Sequence, residues 1–398
     1  MTIKNEHNKI NVPNLRFPEF QGEWEESTIG EEFDLYSGNT PSRMNKEHFN
    51  GAINWISSGE LKEHYIADTK EKISDEAAKT LKMLPIGTFV IAIYGLEADG
   101  VRGTGSITKS ESTISQACMA FTSKGKVQNE FLYSWYKKHG NVIGIRYAQG
   151  TKQQNLSYDI IEKFKIAYPT FQEQEKLNKF IALLDERIAT QSKIIDKLQS
   201  LIKGISNQLL YANNGISVLL GEILIERSER TKENNQHEVL SSTVKGIFSQ
   251  REYFSKDIAS ENNVGYKIIR LHDVVLSPQN LWMGNINYNG KFDVGIVSPS
   301  YKIFSIAEGF DKEYIAATLK THRALYNYML VSEQGASVVR RNLNMEEFEQ
   351  LVFKIPSFDQ QQKIGRTISV LNLRLELANK QKTFYEKEKQ YLLRQIFI

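Results

Sequence analysis

The sequence predicts an α+β fold in which two similar globular domains are joined by two long helices forming an antiparallel coiled coil, with pseudo-twofold symmetry. Three observations predict it: an internal repeat, two sustained heptad seams, and a connection too short to let the chain double back. The repeat is plainest in Tyr168-Pro-Thr-Phe-Gln-Glu-Gln-Glu-Lys-Leu177 and Ile355-Pro-Ser-Phe-Asp-Gln-Gln-Gln-Lys-Ile364, whose prolines lie 356 − 169 = 187 positions apart. Upstream, Gln149-Gly150 followed by Asn155-Leu156 answers Gln334-Gly335 followed by Asn342-Leu343, and Ile29-Gly30-Glu31 answers Leu220-Gly221-Glu222.

The first helix places apolar residues at Leu177, Ile181, Leu184, Ile188, Ile195, Leu198, Ile202, Ile205 and Leu209, spaced alternately by four and three, with Gln191 the one interruption. About 40 proline-free residues at roughly 1.5 Å each make a helix about 60 Å long. The second helix repeats the seam at Ile364, Ile368, Leu371, Leu375, Ala378, Tyr385, Leu392 and Ile396, but Lys382 and Lys389 occupy two seam positions, so its C-terminal half is expected to pack differently. Only Tyr211-Ala-Asn-Asn-Gly215 separates the first helix from the second domain. That domain must therefore begin where the first helix ends, and its own helix can bury a seam only by returning along the first. The resulting division is a first domain over residues 1–168, a helix over 169–212, a second domain over 213–355 and a helix over 356–398.

Within the first domain, strands are predicted at Ile53 to Ser57, Thr88 to Tyr94 and Cys118 to Thr122, with a helix at Asn129 to His139. The second domain carries comparable strands at Val239 to Ser242, Val274 to Ser277 and Tyr301 to Ile306, with a helix at Lys312 to His322.

Composition narrows the function. A hydrophobic fraction of 40% and an aromatic fraction of 11% are those of a folded chain. No apolar run, the longest being Phe89 to Leu96, is long enough to span a bilayer, and Met1 to Lys9 lacks the apolar stretch of a signal peptide; a cytoplasmic protein is expected. A net charge of +3 is only weakly basic, so any contact with nucleic acid must be local or shared with other subunits. The one cysteine, Cys118, cannot form an internal disulfide, and its apolar neighbours suit a buried strand thiol.

No enzyme constellation is legible. The histidines at 7, 48, 64, 139, 237, 272 and 322 never fall at metal-ligand spacing, and the chain has no phosphate-binding Gly-x-x-x-x-Gly-Lys-Ser/Thr loop. Gly100-Val-Arg-Gly-Thr-Gly105 departs from the dinucleotide fingerprint and reads as a turn. The absence of any Pro-Pro pair removes the Asn- or Asp-Pro-Pro-aromatic motif of enzymes that methylate base amino groups.

The loops are instead rich in groups that suit base edges and phosphates. Arginine and lysine pair with guanine or phosphate, glutamine and asparagine with adenine, and aromatics stack or wedge. The candidates are Arg43, Tyr94, Arg102, Lys152, Gln153, Gln154 and Asn155 in the first domain, and Arg251, Asn280, Trp282, Asn285, Arg340 and Arg341 in the second. Lys152-Gln-Gln-Asn155 against Val339-Arg-Arg-Asn342 keeps Asn and Leu as a common frame while the polar residues before them differ. A common frame with exchangeable specificity would look like this, and so would a surface turn that has drifted. A chain with two related halves suits duplex DNA, whose own twofold places half-sites about one helical turn apart.

The pattern resembles the specificity subunit of type I restriction-modification systems. The resemblance rests on Val12-Pro-Asn-Leu-Arg-Phe-Pro-Glu-Phe20 with Trp24, on Leu35-Tyr-Ser-Gly-Asn-Thr-Pro-Ser42, on Trp55-Ile-Ser-Ser-Gly-Glu60, and on the two Pro-x-Phe-x-x-Gln motifs at Pro169 and Pro356. It implies two target-recognition domains that each read one part of a divided double-stranded DNA sequence. It also implies a noncatalytic chain working with two methyltransferase subunits that bind S-adenosylmethionine and methylate adenine, and two motor-nuclease (restriction) subunits that use ATP and magnesium, with no cofactor on this chain. The alternative is a noncatalytic scaffold that binds proteins through its coiled coil.

Overall fold

The structure, a computed structural model, describes residues 11–150, 152–211, 215–253, 262–334 and 341–398. The chain forms two compact units, one of Met1–Ser192 with Lys380–Ile398 and one of Lys193–Asn379. Each long helix, Phe171–Leu210 and Phe358–Ile396, runs unbroken through a unit boundary, so each unit contains part of both helices and one globular domain.

In the first unit, strand Glu25–Thr28 pairs antiparallel with Lys165–Tyr168 and closes the two ends of the domain on each other. A five-stranded sheet follows the order Phe33–Ser37, Cys118–Ser123, Phe89–Ala92, Gly105–Thr108, Tyr65–Ile66. Phe89-Val-Ile-Ala92 is buried at every position, which is why it reads as a continuous apolar run and not as an alternation: both faces of this central strand are covered. Cys118 is fully buried beside it, and burial pushes its thiol up to about 12, as a structural thiol requires. Helix Asn129–Tyr147 covers the sheet with Phe131, Leu132, Trp135 and Tyr136, and continues eight residues past the predicted end at His139.

The second unit repeats the plan. Ile216–Leu219 pairs antiparallel with Val352–Ile355, and a four-stranded sheet runs Leu224–Arg227, Lys302–Ile306, Val274–Leu276, Ile286–Tyr288. Strand for strand this is the order of the first sheet without its fifth member. The repeated glycines have one cause: a Cβ on Gly30 would stand 3.1 Å from the Cβ of Glu162, and a Cβ on Gly221 would stand 3.1 Å from the Cβ of Glu349. One expectation is corrected. The helix predicted over Lys312 to His322 is two helices, Lys312–Thr318 and His322–Leu330, because Thr321 leaves the first and caps the second by accepting from Ala324 N at 3.2 Å.

Within each unit the two long helices run in opposite directions. Near its start the first helix puts Leu177, Ile181 and Leu184 into one core with Leu392, Leu393 and Ile396 from the end of the second, and Arg187 lies 5.1 Å from the ring centre of Tyr385. In the second unit Leu210, the last residue of the first helix, packs on the same core as Ile364 near the start of the second. The C-terminal half of the second helix therefore keeps the pairing despite its seam lysines, correcting the expectation that it would pack differently. Lys389 is accommodated because its ammonium donates to Asp185 of the facing helix.

Two polar joints fasten the first domain to this helix pair. Arg16 clamps Glu173 through Nε and Nη2 at 2.8 and 2.7 Å, with the Glu173 side chain only 1% exposed, while Phe17 meets Phe180 edge-on at 5.9 Å. The opening Val-Pro-Asn-Leu-Arg-Phe motif is thus a strap over the first helix. On the other side His64 is sandwiched between the rings of Tyr65 and Tyr133, both at 4.0 Å. Its Nε2 is 2.8 Å from Glu130 Oε2, and its Nδ1 is 3.2 Å from Asp185 Oδ2, close enough for attraction though poorly aligned for a hydrogen bond. Burial pulls the imidazole pKa down, but Asp185 and Glu130 outweigh it and raise it above 6.5. Burial together with neighbouring Lys389 pushes Lys137 down to about 8, and His64, Tyr133, Lys137, Asp185 and Lys389 line a cleft of about 760 Å³.

Two outcomes follow from these joints. Arg16→Ala leaves a buried carboxylate without its partner and should cost about 3 kcal/mol, read from the denaturant midpoint of the full chain. The raised imidazole contributes stability that is complete below its unfolded value near 6.5 and is lost as pH climbs through the folded value. The melting temperature of the first unit should accordingly fall as pH rises above 6.5, and His64→Gln should flatten that dependence; an unchanged slope in the variant would assign it elsewhere.

Candidate nucleic-acid interface

The strand Phe89–Ala92 leaves the first sheet into a loop that reaches Gly105, and residues 154–155 interlock with it. Tyr94 and Asn155 form a β-bridge, Leu96 N donates to Gln154 O at 3.1 Å, and Gln154 N donates to Glu97 Oε2 at 2.8 Å. Arg102 Nη2 donates to Gln154 Oε1 at 2.7 Å, and its stem lies on Gly144, where a Cβ would come within 2.6 Å of Arg102 Cγ. Gly95, Gly100 and Gly103 all hold φ near +70°, so the loop takes turns that other residues rarely adopt. Asn155 also exchanges backbone hydrogen bonds with Gln149 at 2.8 and 2.9 Å, and the side chains of Lys152 and Gln153 just before it are exposed.

Of the predicted residues in this domain, Tyr94, Arg102, Lys152, Gln153, Gln154 and Asn155 thus come together. Arg102 and Gln154 are occupied by each other and shape the loop pair. Arg43 is held elsewhere: its guanidinium makes a bidentate contact with Glu71 at 2.5 and 2.8 Å and lies 4.3 Å from the Phe49 ring centre. Glu97, which no sequence pattern singled out, fixes the backbone of Gln154 from a position 57 residues away.

In the second unit the matching strand, Val274–Leu276, leads into a loop of the same kind. Asn280 O accepts from Met283 N at 3.1 Å and Asn285 N at 3.2 Å around the turn Leu281–Met283, and Gly284 supplies the left-handed residue at φ 93°. The Arg341 guanidinium stacks over Trp282 at 4.8 Å, and Arg341 N donates to Gln279 O at 3.2 Å. Asn280, Trp282 and Arg341 are therefore neighbours, at the place that Tyr94 and Gln154 hold in the first unit. Arg251 is exposed on the short helix Gln250–Tyr253, and Arg340 lies outside the described residues.

Asn285 is corrected as a base-reading residue. Its side chain is 5% exposed, its Oδ1 accepts from Ser242 Oγ at 3.0 Å and its Nδ2 donates to Ser242 O at 3.1 Å. Both faces of the amide are engaged in tying the hairpin Leu240–Ser249 to the sheet, so no edge is left for a base. The repeated Asn-Leu pairs prove to be framework: Leu156 is 1% exposed and Leu343 packs against the second core.

Among the described residues, no group of three or more His, Cys, Asp or Glu side chains is placed to hold a metal ion, and no helix is long and apolar enough to cross a membrane. The chemistry that these loops offer is hydrogen bonding, charge and stacking.

Comparison with known proteins gives this arrangement its context. Residues 21–200 match the type I restriction modification DNA specificity domain. The chain is 25% identical over 185 residues to the type I restriction enzyme MjaIX specificity subunit of Methanocaldococcus jannaschii, covering 44% of this chain and 42% of that one. It is 28% identical over 187 residues to the EcoR124I/EcoR124II specificity subunit of Escherichia coli, covering 46% and 45%. The match thus spans less than half the length of these curated relatives. Over nearly the whole chain the fold is shared with the crystal structure of a type I restriction-modification S subunit from M. genitalium, with a TM-score of 0.63, 15% identity and coverage of 97% and 99%. A chain from a structural study of complex assembly and conformational transition in the type I system matches with a TM-score of 0.54 and 11% identity, covering 93% and 96%. The resemblance drawn from the sequence holds: the chain is similar in sequence, over residues 21–200, to the type I specificity domain and, over less than half its length, to two type I specificity subunits, and it is similar in fold to an S subunit over nearly its whole length.

Proposed function

We propose that this chain is the sequence-specific DNA-binding subunit of a type I restriction-modification complex, reading a divided target with one part assigned to each domain. The observation that carries the reading is the repeated loop pair. Two domains with the same sheet order place, after the same strand, a loop locked to a second segment, and the exposed polar residues there differ between the copies. A common frame that presents different side chains suits two different half-sites. The specificity domain matched by residues 21–200 and the two curated specificity subunits favour the same reading.

On this reading the chain does no covalent chemistry. Adenine methylation belongs to two methyltransferase subunits carrying S-adenosylmethionine, and cleavage to two motor-nuclease subunits using ATP and magnesium, assembled in the cytoplasm. This chain's own contribution is to choose the site: Lys152 and Gln153 in the first domain, and the Trp282–Arg341 stack with Arg251 in the second, meet phosphates and base edges in the groove.

Competition binding tests it, using the target read from methylated adenines in the host genome. The assembled complex should prefer a duplex carrying that target over a random duplex; a protein-binding scaffold would show no preference. Gln153→Ala should relax a single base position at a cost of about 1–3 kcal/mol, whereas Lys152→Ala should weaken all sequences alike. Uniform weakening by Gln153→Ala would remove base reading from that residue.

A further inference from the structure

The glutamine that ends each Pro-x-Phe-x-x-Gln motif has one job, performed twice. Gln174 is 0% exposed and Gln361 is 3% exposed, each one turn into its long helix. Gln174 Oε1 accepts from the backbone N–H of Gln128, the cap residue of helix Asn129–Tyr147, at 2.9 Å. Gln361 Oε1 accepts from the backbone N–H of Asp311, the cap residue of helix Lys312–Thr318, at 3.0 Å. Each amide also donates back to the proline carbonyl of its own motif, Gln174 Nε2 to Pro169 O at 2.9 Å and Gln361 Nε2 to Pro356 O at 3.0 Å. Gln174 Nε2 makes one further bond, to Lys126 O at 2.9 Å.

Only an amide satisfies this geometry. The oxygen must take an N–H that the helix leaves unpaired, and the nitrogen must supply hydrogens to carbonyls. A glutamate would turn a lone pair toward the proline carbonyl, and an apolar side chain would leave buried groups on both sides without partners. One turn further along, the contact persists by different means. Asn178 Nδ2 donates to Gln128 Oε1 at 2.6 Å, and at the equivalent position Gly365 brings backbone against backbone, since a Cβ there would fall 2.6 Å from Tyr314 N. Two copies of the motif, with different neighbours, retain the same tether between a domain helix and a long helix.

We infer that Gln174 and Gln361 are positioning residues for target reading: each fixes the angle at which its recognition domain is carried on its long helices, and so restricts the complex to one spacing between the two parts of the target. The inference rests on the proposed function. Neither residue touches DNA; each acts through the helix that it holds.

Selection of bound sequences from a random duplex library by the assembled complex, followed by sequencing, tests it. The unaltered chain should enrich one divided motif with a single spacer length. Gln174→Ala and Gln361→Ala should enrich the same base pairs in both parts but accept spacers one base pair longer or shorter, with discrimination between spacer lengths falling at least tenfold. Retention of the single spacing by both variants, or loss of base preference within one part, would overturn the positioning role. Failure of the unaltered complex to enrich any divided motif would instead overturn the proposed function. If an alanine variant melts below the assay temperature, Gln174→Met and Gln361→Met, which keep side-chain length but none of the hydrogen bonds, are read by the same criteria.

Discussion

The burial of two heptad seams that can satisfy each other only head to tail constrains everything else in this chain. In the register marked by the Asp185–Lys389 bond and the Arg187–Tyr385 contact, Leu177 answers Ile396, Ile181 answers Leu392, and Gln191 answers Lys382. One polar interruption of each seam, Gln191 and Lys382, thus falls opposite the other. Lys389, which faces the apolar Leu184, is met by the neighbouring Asp185. A parallel arrangement following the sequence repeat would set Gln191 against Ala378 and leave both lysines facing apolar partners. Buried polar residues are poor sources of stability but good selectors of register. Here they select direction, and direction decides which end of each long helix each globular domain must meet.

Duplication preserved what that meeting needs and little more. The retained features are the strand pair that closes each domain, the glycine that lets the short helix after the first strand approach Glu162 or Glu349, the sheet order, and the glutamine under each domain helix. The features that diverged lie in the loops after the matching strands. In one copy the Gln154 side chain accepts from Arg102 while its backbone N–H donates to Glu97; in the other, cation–π stacking of Arg341 on Trp282 does comparable work. Either solution stiffens a loop without fixing which polar groups it presents. A rigid loop with replaceable polar residues is what discrimination between half-sites requires, because a loop that must first be ordered loses affinity for every sequence alike.

Legibility in the sequence followed the range of the physics. Heptad seams, the motif repeat and the all-apolar strand at Phe89 are local patterns, and each was readable. The site was readable only as a neighbourhood. Whether an arginine is free depends on partners such as Glu71 for Arg43, 28 residues away, or Gln154 for Arg102, 52 residues away, and no local pattern encodes those. Asn285 was misread for the same reason: its partner Ser242 lies 43 residues upstream, and an asparagine in a polar loop has the same local signature whether its amide faces solvent or a buried hydroxyl. The break between Lys312–Thr318 and His322–Leu330 was a lesser failure, since a threonine inside an apolar-periodic run caps a new helix only if the chain has room to turn.

The two joints between domain and helix pair share a glutamine but differ in what surrounds it, and the difference has a consequence. The first joint adds charge: Arg16 on buried Glu173, and His64 between Glu130 and Asp185. The second adds close packing, with Gly365 against the first turn of Lys312–Thr318, and neutral or exposed hydrogen bonds: Ser369 to Glu313 at 3.2 Å, and Arg323 N to Tyr211 Oη at 3.1 Å. Charge-rich contacts weaken when a partner loses or gains a proton, whereas backbone approach through a glycine does not. The position at Gly365 tolerates no side chain, while its counterpart Asn178 carries one that hydrogen-bonds. The same joint is therefore held by two chemistries with different sensitivities. On the proposed function, conditions that discharge the first joint would loosen the N-terminal domain before the other, so that errors in reading would arise first in the part of the target assigned to it.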